Sequence, residues 1–205
     1  MTVIAQTLPQ TVTLEDRARV TGAVPHMEAV AAQWTAVLEG TDKLWCCVGL
    51  SRFYESLSLW VEAERCAQKA LEISKTALGE RHPDTASSLN NLAGLYRSQG
   101  RYGEAEPLYL EALTIRKMAL GDHHPDTATS LNNLAELYRS QGRYEEAEPL
   151  YLEALAIRKT ALGVRHPTTT CNLHNLAMFY FNTDRLTEAA ALTSEALASL
   201  RKSSD

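Results

Sequence analysis

Three histidines recur at one spacing. His82, His124 and His166 lie 42 residues apart, and each precedes a proline. Imidazole is a common metal ligand, so the row invites a metal reading. A first-row metal needs its ligands within about 2–2.2 Å of one point. Residues recurring once per structural repeat stand a full repeat apart, and His123 with His124 alone is a weak pair. The competing reading places the three histidines in loops, at the starts of helices, and no metal is expected. Cys46, Cys47, Cys66 and Cys171 form no C-x-x-C pair or other zinc spacing. They read as small buried hydrophobes in a reducing compartment. Glu104, Glu106, Glu111, Glu146, Glu148 and Glu153 read as a solvated outer face that also pairs with Lys and Arg. No G-x-S-x-G, H-E-x-x-H or G-x-x-x-x-G-K-[ST] occurs. No nucleophile, cofactor site or phosphate-cradling loop is predicted, and the chain is read as a non-enzyme with no cofactor.

Composition narrows the class further. The chain has 205 residues, 45% hydrophobic and 22% charged, with a formal net charge of −5. That is enough apolar content and length for a sizeable folded core. Mild acidity argues against a nucleic-acid partner, which would call for a basic footprint. No apolar run approaches the ~20 residues of a membrane span. The N-terminus lacks the basic start and apolar core of a secretory signal, so the expected location is the cytoplasm.

A repeat positions the polar residues. Gly79–Leu120 and Gly121–Leu162 differ at 7 of 42 positions. The same register extends outward with decay: Leu50, Phe53 and Tyr54 fall on Leu92, Leu95 and Tyr96, and Leu173, Leu176 and Tyr180 fall on Leu131, Leu134 and Tyr138. Four units follow, at about 37–78, 79–120, 121–162 and 163–205, after an N-terminal segment 1–36 that is partly helical. Leu89, Leu92, Ala93, Leu95 and Tyr96 recur at helical spacing. The run from His82 to Asp84 opens that helix and Gly100 closes it. A second helix is predicted from about Gly103 to Met118. Small residues at Ala93, Ala105 and Ala112 allow close approach, and one pair buries its apolar face only by stacking on the next. Pro107 and Pro149 fall about one turn into the second helices, where only a mild kink is expected.

The pattern Leu89, Leu92-Ala93, Tyr96, Gly100, Tyr102, Ala105, Tyr109 and Ala112 resembles the tetratricopeptide repeat (TPR). The longer unit, LNNLAxLYRSQGRYxEAEPLYLEAL with LGxxHPDTA, is similar to its kinesin-light-chain type. The resemblance spans about Leu44 to Leu200. It implies an all-α solenoid, a right-handed superhelix of antiparallel helix pairs whose first helices line a concave peptide-binding groove. Similar bacterial and cyanobacterial arrays are often attached to switch ATPases of the NB-ARC or STAND type. Pro25–Trp34 and Asp42–Glu55 resemble the stretch leading into those arrays.

Transferring the family's groove positions gives Asn90, Asn91, Gly94 and Arg97 in the second unit. The third unit gives Asn132, Asn133, Glu136 and Arg139, and the fourth His174, Asn175, Met178 and Phe181. The first unit gives Val48, Gly49, Arg52 and Glu55. An amide offers a donor and an acceptor together, so it can grip a peptide backbone whatever the partner's sequence. The alternative is that some of these amides bond locally and only maintain the stack. Arg97 and Arg139 suit a carboxylate. Met178 and Phe181 make the last position apolar: either a pocket for an anchor side chain, or a surface covered by a tail or a second copy. Leu192, Ala196, Leu197 and Leu200 leave an apolar edge that fits self-association or a truncated array.

The function expected is a non-catalytic scaffold or adaptor that binds a protein or peptide partner, with no nucleic-acid or membrane partner. The alternative is a detached sensor or regulatory TPR segment of a STAND-type ATPase.

Overall fold

The computed structural model describes residues 40–201, and Ala29 before them. The expected N-terminal segment 1–36 therefore lies, Ala29 apart, outside the described residues, as does the side chain of Leu200. Eight helices and no strand occupy the described residues: α1 Gly40–Ser56, α2 Trp60–Leu78, α3 Pro83–Ser98, α4 Tyr102–Leu120, α5 Pro125–Ser140, α6 Tyr144–Leu162, α7 Pro167–Asn182 and α8 Leu186–Arg201. None is long and apolar enough to cross a membrane. The described residues divide into two compact units, one up to Leu95 and the other from Tyr96 onward.

In the first unit, α1 packs on α2. Leu44, Cys47 and Ala70 form a buried cluster, with Val48, Ile73 and Leu78 against it. Burial is the main cause of a raised Cys47 thiol pKa. Ser51 Oγ donates to Ala63 O at 2.9 Å, stitching the two helices where the small side chain lets them meet. Thr85 Oγ1 donates to Gly79 O at 2.7 Å and so fixes the turn between α2 and α3.

The second unit holds the end of α3 and all of α4 to α8. Ala128 and Leu131 of α5 meet Ala154 and Ile157 of α6, with Leu113 and Leu150 packed around them. The alanines are fully buried, as close helix approach requires. Each helix pair is closed by the same turn. Gly142 takes φ +75°, which permits Arg143 N to reach back to Tyr138 O at 2.9 Å. Arg185 N repeats this on Tyr180 O at 2.9 Å, with Asp184 at φ +57° in the glycine's place.

Two buried guanidinium groups join the pairs of this unit. Arg116 of α4 donates from Nη1 to Asp126 O at 2.8 Å and to Ser130 Oγ at 3.1 Å on α5. Arg158 of α6 donates to Thr168 O at 2.9 Å, to Asn172 Oδ1, and to Thr129 Oγ1 at 2.8 Å. It thereby ties α6 to both α5 and α7. Burial lowers the Arg158 pKa.

The second helices run slightly longer than expected, from Tyr102 to Leu120 and from Tyr144 to Leu162. Pro107 and Pro149 are interior to them. The helical ladder is already under way at Ala105 N, which donates to Arg101 O at 3.1 Å. Pro107 thus lies beyond the free amides of the first turn and removes a ladder donor, yet the helix continues for three further turns. Both prolines are exposed, which leaves room for the ring.

Candidate functional site

The histidine row cap helices. His124 Nδ1 accepts from Asp126 N at 3.1 Å, and His82 Nδ1 accepts from Asp84 N at 3.1 Å. His166 Nδ1 does the same with Thr168 N at 3.3 Å. Each ring satisfies one of the amides that a helix start leaves without a partner, and proline fills the next position. Among the described residues, no group of three or more His, Cys, Asp and Glu side chains could hold a metal.

The groove positions expected from the sequence fall into distinct environments. Val48, Gly49, Arg52 and Glu55 are on α1; Asn90, Asn91 and Gly94 are on the part of α3 that belongs to the first unit. Asn90 is buried and Asn91 half-buried. In the second unit Asn132 is also buried, and its Oδ1 accepts from Asn175 Nδ2 at 3.1 Å. That bond joins α5 to α7, so this amide pair has a local partner. Asn133 is half-buried beside it.

Arg97 and Arg139 converge on one carboxylate. Glu136 Oε2 accepts from Arg139 Nη2 at 2.8 Å and from Arg97 Nη1 at 3.4 Å. Glu136 Oε1 accepts from the Tyr151 hydroxyl on α6. Burial, then the Glu136 charge, pushes the Tyr151 pKa far up, so the phenol remains a donor. Burial works against the Arg139 charge, but Glu136 more than offsets it and the arginine pKa is raised. Arg139 Nε is buried with no acceptor among protein atoms.

Further along the same sequence register, α7 carries His174, Met178 and Phe181, all exposed. Phe181 has 58% of its surface accessible and Met178 42%. Thr170, Cys171, His174 and Asn175 of α7, with Thr193, Ala196 and Leu197 of α8, line an open cavity of about 380 Å³.

A second set of polar residues escaped the sequence reading as a set. Arg101, Arg143 and Arg185 each lay a guanidinium over a tyrosine ring, Tyr96, Tyr138 and Tyr180, at 4.1, 3.9 and 4.2 Å. Each also bonds a glutamate three residues on, Glu104, Glu146 or Glu188. The arginine bond holds each of those carboxylates below its usual pKa. Arg143 and Tyr138 further share Glu106, and Arg185 and Tyr180 share Glu148. Glu106 and Glu148 thus hold one helix pair to the next instead of standing wholly in solvent. The signal was present: Arg, Glu and Tyr recur at a fixed register in the repeats.

The family model for the tetratricopeptide repeat matches residues 47–118 and 84–160, and a second model of the same repeat matches 173–203. The chain belongs to the tetratricopeptide repeat family, and its fold is an all-α TPR solenoid. Kinesin-light-chain-like TPR proteins are among its structural neighbours. The crystal structure of BtubC (BKLC) from P. vanneervenii superposes with a TM-score of 0.72 at 21% identity, covering 92% of this chain and 80% of that one. A kinesin-light-chain-like protein of Podosopora anserina with nearly identical TPR-like repeats superposes with a TM-score of 0.67 at 27% identity, covering 91% and 90%. A Rap protein, solved in complex with competence and sporulation factor, gives a TM-score of 0.71 at 17% identity, covering 89% of this chain and 49% of its own. No curated protein sequence gives a significant match. The TPR fold suggests a protein–protein interaction scaffold.

Proposed function

We propose that this chain is a non-catalytic scaffold whose first helices receive a segment of a partner protein. The observation that carries the reading is the sequence of surfaces along α5 and α7. The charged groups Glu136 and Arg139 give way, at the equivalent positions of α7, to exposed Met178 and Phe181, while the amide of Asn133 recurs as Asn175. An exposed methionine and phenylalanine three residues apart on one helix suit an apolar anchor. The polar groups before it suit the backbone and carboxylates of the same segment. Asn132 and Asn175 serve this face by holding α5 to α7.

The test is affinity capture from native lysate with the full chain and with a Met178→Ser, Phe181→Ser, Asn133→Ala variant whose helicity is verified by circular dichroism. A protein retained by the first bait and lost from the second supports the reading. Equal recovery on both baits removes this face from the mechanism.

A further inference from the structure

The Arg97–Glu136–Arg139 cluster has more donors than acceptors. Two guanidinium groups share a single carboxylate oxygen, one of them at only 3.4 Å, and the buried Arg139 Nε has no acceptor. The cluster is reachable, since the Arg97, Arg139 and Glu136 side chains are 31%, 30% and 16% exposed. Glu136 is also held from behind, because Tyr151 bonds its other oxygen. The carboxylate can therefore give up its arginine contacts and keep one strong partner. A second carboxylate arriving between the arginines would find a positive pair that is only half neutralised.

We propose that Glu136 is a built-in competitor. It occupies the arginine pair as an internal ligand, and an acidic segment of the partner is received only by exchange with it. Glu136 thus sets the affinity threshold of this face, and Tyr151 is the positioning residue that retains the displaced carboxylate. Gly94, the equivalent residue three before Arg97, brings no such competitor. The inference rests on the proposed binding role of the first-helix face and adds to it the partner's charge and the residue that limits its binding.

The probes are two short fluorescein-labelled peptides, one alternating Glu and Ser and one alternating Gln and Ser, titrated by anisotropy against the full chain. Glu136→Gln is expected to bind the Glu peptide about two- to fivefold more tightly, the range of one partly exposed ion pair, and to leave the Gln peptide unchanged. Glu136→Asp, which keeps the charge on a shorter stem, is expected between wild type and Glu136→Gln. In an Arg97→Ala, Arg139→Ala background the gain should vanish; a gain that persists there is bulk repulsion relieved and overturns the exchange. Unchanged or weaker binding by folded Glu136→Gln also overturns it. Should the arginine variant lose the Glu peptide while Glu136→Gln changes nothing, the face still receives carboxylates and only the competitor is lost. Should no variant bind the Glu peptide, the carboxylate-receiving role falls with it.

Discussion

Arg143 reaches back from the start of α6 to Glu106 on α4, its Nη1 lying 2.9 and 3.0 Å from the two carboxylate oxygens. The same guanidinium covers the Tyr138 ring and bonds Glu146. Three kinds of contact thus meet on one side chain at the junction of two helix pairs, the arrangement in which side-chain networks can exceed the sum of isolated surface pairs. Arg143→Ala is expected to lower the melting temperature more than Glu106→Ala, since it removes all three contacts. A double-mutant cycle read by thermal unfolding checks the pairing: the two losses should be clearly non-additive. Simple additivity would show that the contact carries no coupling.

Acid should loosen these junctions. The pKa values of Glu104, Glu146 and Glu188 are lowered in the fold by Arg101, Arg143 and Arg185. A lowered carboxylate pKa stabilises the fold above the unfolded value of about 4.3, and the gain is lost as pH falls through the lower folded value. Melting temperatures are expected to hold between neutral pH and about pH 5 and to drop below about pH 4. Glu146→Gln should show a smaller acid drop than wild type; an identical pH profile would count against the pairing.

Leu155 and Leu197 occupy equivalent positions in successive second helices, but Leu155 is 6% exposed and Leu197 51%. Leu155→Ala should cost about 2–4 kcal/mol in urea unfolding, as buried leucines do. Leu197→Ala should cost less than about 0.5 kcal/mol. A large loss at Leu197 would show that this face is covered in solution, and sedimentation of the wild-type chain would then tell a second copy from a segment of the same chain.

The histidine caps predict a chemical rescue. His124→Ala should lose about 1 kcal/mol of stability, and His124→Asn should recover most of it, because an amide oxygen can accept from Asp126 N in place of Nδ1. Equal losses in the two variants would remove the cap as the reason for the histidine.

Helices and their pairing were readable because apolar spacing, proline and glycine all act locally. The placing of His82, His124 and His166 at helix starts was readable for the same reason, whereas the bond from each ring to the amide two residues on came only with the structure. The fate of Asn132, Arg97 and Glu136 was not readable. Asn132 finds its partner on α7, and Glu136 finds Arg97 on α3 and Tyr151 on α6. Whether a polar side chain faces a ligand or a neighbouring helix depends on the stacking angle between pairs, which no single repeat contains. The Arg–Tyr–Glu junctions went unread as a set for a related reason: each glutamate looks like ordinary surface charge until the following pair is laid beside it.

Those junctions bear on how such a chain changes length through inheritance. Arg143 meets Glu106, and Arg185 meets Glu148, each across 37 residues. Tyr138 meets Glu106, and Tyr180 meets Glu148, each across 32. A copied stretch of 42 residues therefore carries one half of each fastening at either end, cut so that it fits both its neighbours. Unequal crossing-over between the two near-identical stretches would insert or remove a whole module and orphan no partner at the seam. Copy number is then open to selection in single genetic steps, while the residues that face a partner diverge module by module.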